Sequence, residues 1–284
     1  MTATAVSGIV GGPLSGWILS AFHGYHGWSG WRWMYLLEGA PSILVGLLVL
    51  AVLPSTPRDA AWLGASERAM IEQDLAAAQT GAPGTGAPQR AQAGAVALFS
   101  VIYFLLLAGL YGVSFWLPSL IRATGIADTF VIGCLSAIPY IVTAVTMNLL
   151  ARFADRTRRW GLVVGTAGVV VGVAFWISAA YAQLAVPAIA ALTVACAGIL
   201  TALPLFWNLP TARLDGVAAA AGIALINSIG NLAGFVSPFA IGWITDATHR
   251  PGIGVTLLGA AAASAGVMTL AYVARAQRAP AGKL

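Results

Sequence analysis

Long stretches without charge constrain this sequence more than any other feature. Eight runs, near 2–22, 33–53, 96–121, 129–151, 161–181, 185–208, 217–245 and 252–274, are apolar almost throughout. A bilayer core about 30 Å thick needs about 20 such residues per helix. Of the 284 residues, 59% are apolar and 8% charged, against roughly 25% charge in soluble proteins. Mean hydropathy is +0.87. So few charges cannot cover a water-facing surface, so lipid must be the solvent. The runs lack the ten-residue alternation of β-barrel strands, and helices are the other way to pair every backbone polar group in lipid. The expected fold is all-α: a polytopic membrane bundle of eight transmembrane helices. The first run starts almost at Met1 with no basic segment before it, so no cleavable signal peptide is expected.

The basic residues set an orientation. With the amino terminus in the cytoplasm, the inner segments hold eleven of the fourteen Lys and Arg: Arg58, Arg68, Arg90, Arg152, Arg156, Arg158, Arg159, Arg213, Arg275, Arg278 and Lys283. Only Arg32, Arg122 and Arg250 fall outside. Eight spans then place both termini in the cytoplasm. The net charge of +5 is thus a topology signal, and no nucleic-acid partner is expected.

One loop divides the chain. Residues 1–53 carry two spans and residues 96–284 carry six, separated by a cytoplasmic segment over 54–95. Within it Pro54 and Pro57 break the helix, residues 65–79 read as a short helix mixing Glu67, Arg68, Glu72 and Asp74 with Met70, Ile71 and Leu75, and Gly81 to Pro88 reads as a flexible linker. The other connections are short, so neighbouring helices run antiparallel. Glycines at four-residue spacing (Gly8, Gly12, Gly16; Gly161, Gly165; Gly168, Gly172; Gly230, Gly234) predict close helix packing.

Enzyme chemistry is not supported. His23, His26 and His249 fall at outer loops, away from any carboxylate pair, nucleophile motif or metal-ligand spacing. No metal and no cofactor is expected. Cys134 and Cys196 lie inside apolar runs and read as buried structural thiols.

The tightest charge cluster, Ala151-Arg-Phe-Ala-Asp-Arg-Thr-Arg-Arg-Trp160, sits between the fourth and fifth spans. One reading is a positive-inside anchor. The other is a conformational latch, in which Asp155 pairs with a neighbouring arginine such as Arg156 or Arg159, or with a helix amino end, only while the cytoplasmic side is closed. Polar side chains within the spans are costly in lipid and usually face the protein interior. Asn227 and Asn231 share one face of the seventh span, and Tyr111 and Ser114 share one face of the third. Trp207 and Asn208 lie toward the cytoplasmic part of the sixth. Amide and indole N–H groups donate to carboxylate or hydroxyl oxygens without carrying charge; bonding between helices is the competing reading for each.

The cluster around Asp155 resembles the loop pattern of the major facilitator superfamily, roughly Gly-x-Leu-Ala-Asp-Arg-x-Gly-Arg-Arg, with Ala151 in place of the first Gly and the second Gly absent. Gly11-Gly-Pro-Leu-Ser-Gly-Trp17, Gly30-Trp-Arg-Trp-Met-Tyr-Leu-Leu-Glu-Gly39, Gly112-Val-Ser-Phe-Trp-Leu-Pro118, Phe206-Trp-Asn-Leu-Pro210 and the segment from Gly222 to Val236 look like its anion:cation symporter family. The resemblance implies a twelve-helix fold in two halves with a midplane substrate site, of which this chain matches helices five to twelve, a partial major facilitator fold. It further implies an inner-membrane symporter of small organic anions, such as sugar acids or aromatic carboxylates, with a proton or cation as co-substrate and the lipid bilayer as surroundings. It places cavity residues at Trp207 and Asn227, and Tyr111, Ser114 and Asn231 complete the candidate substrate-binding set. Family anion-binding arginines and proton-coupling acids lie mainly on the four helices without a match here, so the chain alone is not expected to transport; the alternative is a non-transporting subunit that pairs with a separate amino-terminal fragment. Glu38, the one acid within a span, reads as a buried polar contact or, less simply, a proton carrier.

Overall fold

The computed structural model of the chain describes residues 2–79, 89–214 and 217–278. The proposed linker 81–88 and Lys283 lie outside them. Every regular element described is helical: α1 (Thr2–Ala21), α2 (Gly30–Val52), α3 (Ala65–Gln79), α4 (Gln89–Ala123), α5 (Thr129–Thr157), α6 (Trp160–Ala180), α7 (Ala185–Phe206), α8 (Asn208–Thr211), α9 (Val217–Asn231), α10 (Ala233–Thr248) and α11 (Pro251–Arg278). Among the described residues, seven spans are long and apolar enough to cross a membrane, with α7–α8 and α9–α10 each forming one. The expected eighth, α1, has 20 residues but is not among the seven; Gly, Ser and Thr at nine of its positions dilute its hydropathy.

The chain forms two compact units, Ile18–Gly86 and Met1–Trp17 together with Ala87–Leu284. In the first, α2 presents an almost wholly apolar, exposed surface from Ile43 to Leu53, as a lipid-facing helix must. An aromatic turn precedes it: the rings of Phe22, Tyr25 and Trp28 each lie within 6 Å of Trp33, whose indole donates to the Tyr25 carbonyl at 3.2 Å. In α3 the short helix has the expected bounds. The Gly64 N–H donates to the Glu67 carboxylate at 3.0 Å, tying down its first turn. Arg58 pairs with Glu72 at 2.8 Å, and that hydrogen-bonded carboxylate holds the exposed guanidinium above its ordinary pKa.

In the second unit, α4 and α7 form the centre. Helix α4 packs on α7, α9, α10 and α11, while α7 also packs on α5 and α6. Phe99 of α4, Phe175 of α6 and Phe206 of α7 are fully buried. Small residues let the backbones meet. A Cβ at Gly12 would stand 2.7 Å from the Gly133 carbonyl oxygen of α5. Along α6, a Cβ at Gly168 would stand 2.7 Å from Gly266 Cα, and one at Gly172 2.7 Å from the Gly259 carbonyl oxygen. This seam joins α6 to α11.

Two expectations need correction. Cys134 is exposed on the helix surface, whereas Cys196 is buried; an apolar run says a residue is in the membrane, not which way it faces. The seventh run is two helices, interrupted at Leu232, where the Leu232 N–H bonds Ile229 O at 3.2 Å, a three-residue step. Within α10, Pro238 has no N–H for the Gly234 carbonyl, and its ring crowds that carbonyl.

Candidate functional site

The candidate site forms where helix distortions meet polar side chains. A cavity of about 210 Å³ lies between α1, α4, α5, α7 and α9. Tyr103 and Tyr111 of α4, Asn227 and Asn231 of α9, and Thr4 of α1 give its polar wall; Leu107, Met147, Leu200 and Leu203 are among the apolar residues. Pro204 also lines it and cannot donate to the Leu200 carbonyl.

Three of the expected residues form one hydrogen-bonded chain. The Tyr111 hydroxyl donates to Asn231 Oδ1 at 3.2 Å. Asn231 Nδ2 donates to the Asn227 carbonyl at 2.8 Å and to Asn227 Oδ1 at 3.0 Å. Among the described residues, Asn227 Nδ2 meets no partner, so the chain ends on an amide donor facing no competing acceptor. The glycine step of α9–α10 builds this register. A side chain at Gly230 would enter the Tyr103 ring, and a Cβ at Gly234 would stand 3.2 Å from Tyr111 Cε2. Both tyrosine rings therefore stand in the space that a glycine leaves open.

The other two expected residues lie apart from the cavity lining. Trp207 packs edge-on against Tyr103, centroids 4.9 Å apart, and so supports a cavity residue without lining the space itself. It also marks the interruption between α7 and α8. Ser114 is exposed on α4, one turn from Tyr111, and does not line the cavity. Tyr103 escaped the sequence reading, although it lies eight residues before Tyr111 on the same stripe of helix. Thr4 had no signal beyond its hydroxyl.

At the arginine cluster, Asp155 accepts the Trp160 indole N–H at 2.8 Å. Among the described residues Arg156 and Arg159 form no ion pair with it. Arg158 closes α5 in the left-handed region, φ 54°, with its guanidinium 5.9 Å from the Trp160 ring centre. Clefts of about 500 and 390 Å³ on α5, α6 and α7 are lined mainly by aliphatic residues; Thr146 and Thr166 there bond back to their own helices. No group of three or more His, Cys, Asp or Glu able to hold a metal is present among the described residues.

The architecture so far is that of a multi-pass helical membrane protein with an uncharged polar cavity between its spans. Residues 1–238 match the Major Facilitator Superfamily, and the chain belongs to that family. It is 40% identical over 254 residues to a protein of Agrobacterium vitis named for tartrate transport, covering 87% of this chain and 55% of that protein. It is 37% identical over 254 residues to NicT of Pseudomonas putida, named for metabolite transport, covering 87% and 57%. It is 30% identical over 230 residues to the inner membrane transport protein RhmT of Escherichia coli, covering 81% and 53%. The chain thus spans about half the length of the curated relatives it matches.

Proposed function

We propose that this chain is part of a carrier that moves small organic anions across the inner membrane, coupled to protons and working by alternating access. The observation that carries this reading is the Tyr111–Asn231–Asn227 chain at the cavity wall. Its free donor, Asn227 Nδ2, carries no charge, so it can hold a carboxylate or hydroxyl oxygen without the desolvation cost of a buried ion, and helix interruptions at Trp207 and Leu232 flank the chain, as in discontinuous helices at carrier sites. The names of the relatives, tartrate transport among them, support a small organic acid. In this reading α1 is the eighth span, both termini are cytoplasmic, and residues 1–53, 54–95 and 96–284 are the end of one half, the linking loop and the other half. Asp155, Arg156 and Arg159 form the latch, with the Asp155–Trp160 bond its unlatched arrangement.

The counter-charge for the anion and the proton-coupling acid come from a further four helices. The chain's share of its relatives' length, 55% for the first of them, supports this, and it also favours a second reading: a subunit that does not transport alone and pairs with a separate fragment. Proteoliposomes test both. The 284-residue chain shows no proton-driven tartrate uptake by itself, and uptake appears on co-reconstitution with the remaining helices of a full-length relative. Uptake by the chain alone overturns the incomplete-carrier reading. No uptake in either arrangement overturns the transport reading.

A further inference from the structure

At the arginine-rich end of the bundle the α6–α11 contact continues, with Leu270 and Val273 set against Gly165 and Gly161 of α6, and a cleft opens beside it. Beyond Gly266 the facing residues of α11 become large, Leu270 and Val273, and a cleft of about 800 Å³ lies between them, Leu209 and the start of α6. Its two ends differ in chemistry. Arg158, Arg159 and Gln277 stand at its polar mouth, while Leu162, Leu270 and Val273 form an apolar trough. Arg158, Arg159 and Gln277 are exposed, whereas Leu270 and Val273 are partly covered. No acidic side chain lines the cleft among the described residues. The one acid close in sequence, Asp155, is engaged with the Trp160 indole, and that bond fixes Trp160 as a wall with Arg158 over its ring. The positive end of the α6 dipole adds a field of the same sign.

A soluble anion would use the mouth and leave the trough idle, and a neutral lipid would use the trough and leave two arginines without a counter-charge. An anionic phospholipid uses both, as basic pockets between membrane helices do. We propose that this cleft seats one anionic phospholipid, its phosphate held by Arg158 and Arg159 and an acyl chain laid along the apolar lining of Leu162, Leu270 and Val273.

The test is a titration of the detergent-purified full chain with phosphatidylglycerol or phosphatidylcholine bearing brominated acyl chains, read by tryptophan quenching. Phosphatidylglycerol binds the tighter, and Trp160→Phe removes the phosphatidylglycerol-specific part of the quench. Each of Arg158→Gln and Arg159→Gln lowers phosphatidylglycerol affinity about fivefold, and the pair by more than about tenfold. The Arg158→Lys/Arg159→Lys pair restores the preference, which a misfolded cleft would not. Arg122→Gln, on the far side of the bundle, changes nothing. Equal binding of the two lipids, an unchanged preference in the double Gln variant, an equal loss in Arg122→Gln, or displacement of the lipid by millimolar inorganic phosphate overturns the proposal.

Discussion

The hydroxyl of Tyr111 and the amide of Asn227 reach each other only through Asn231, so these three side chains act as one unit. Tyr111→Phe removes one hydrogen bond; interhelical bonds in membranes average about 0.6 kcal/mol. The thermal midpoint of the purified chain should fall by about 1–2 °C. Asn231→Ala should cost more than Tyr111→Phe, because it breaks both links at once. A Tyr111→Phe/Asn231→Ala double-mutant cycle in thermal melts should show the two changes to be non-additive; strict additivity would mean that they act independently. At the other end, Asp155→Asn keeps an oxygen acceptor for the Trp160 indole but removes the charge, whereas Asp155→Ala removes both. The midpoint should hold in Asp155→Asn and drop in Asp155→Ala. If the latch is electrostatic, proton-driven uptake by the reconstituted complete carrier should already be impaired in Asp155→Asn.

At the scale of the helices, the seam between α6 and α11 tolerates no added side chain. Gly168→Leu should overpack it by about 1–3 kcal/mol, lowering the midpoint by about 2–10 °C. Gly39→Leu on α2, where a Cβ meets nothing within 4 Å, should leave it unchanged. The α6 side of the seam was legible in advance, since glycine spacing is a periodic signal written along one helix, but its partner α11 was not. So was α3, whose bounds match because Gly64 and Glu67 fix its start locally. Helix α4 runs to 35 residues, or about 52 Å at 1.5 Å per residue, well past the apolar run, since hydropathy reports the bilayer and not where hydrogen bonding stops. The break at Leu232 was not legible, because no proline stands at it and the apolar run continues on both sides. For the site, the shared face of Asn227 and Asn231 could be read from spacing, but Ser114 could not be told from Tyr111. One turn on one helix separates them, and only the packing of α9 and α10 on α4 decides which meets an asparagine.

Across the whole molecule, orientation is the claim that arginine placement makes. In a background with Cys134 and Cys196 replaced, Ala127→Cys should react with a membrane-impermeant maleimide on spheroplasts, and Ser66→Cys should react only after lysis. Both carry their residues on loops or helices clear of the long apolar runs. The reverse pattern would invert the topology. Glycine contact between α6 and α11 has a mechanical corollary as well. Rods keyed together backbone to backbone cannot slip past each other, so they must travel as a single strut. In the proposed carrier the helix breaks at Trp207 and Leu232 would then supply the joints. In that carrier, a guest that widens the gap between Tyr111 and Asn227 would push on those pivots and turn occupancy into tilt.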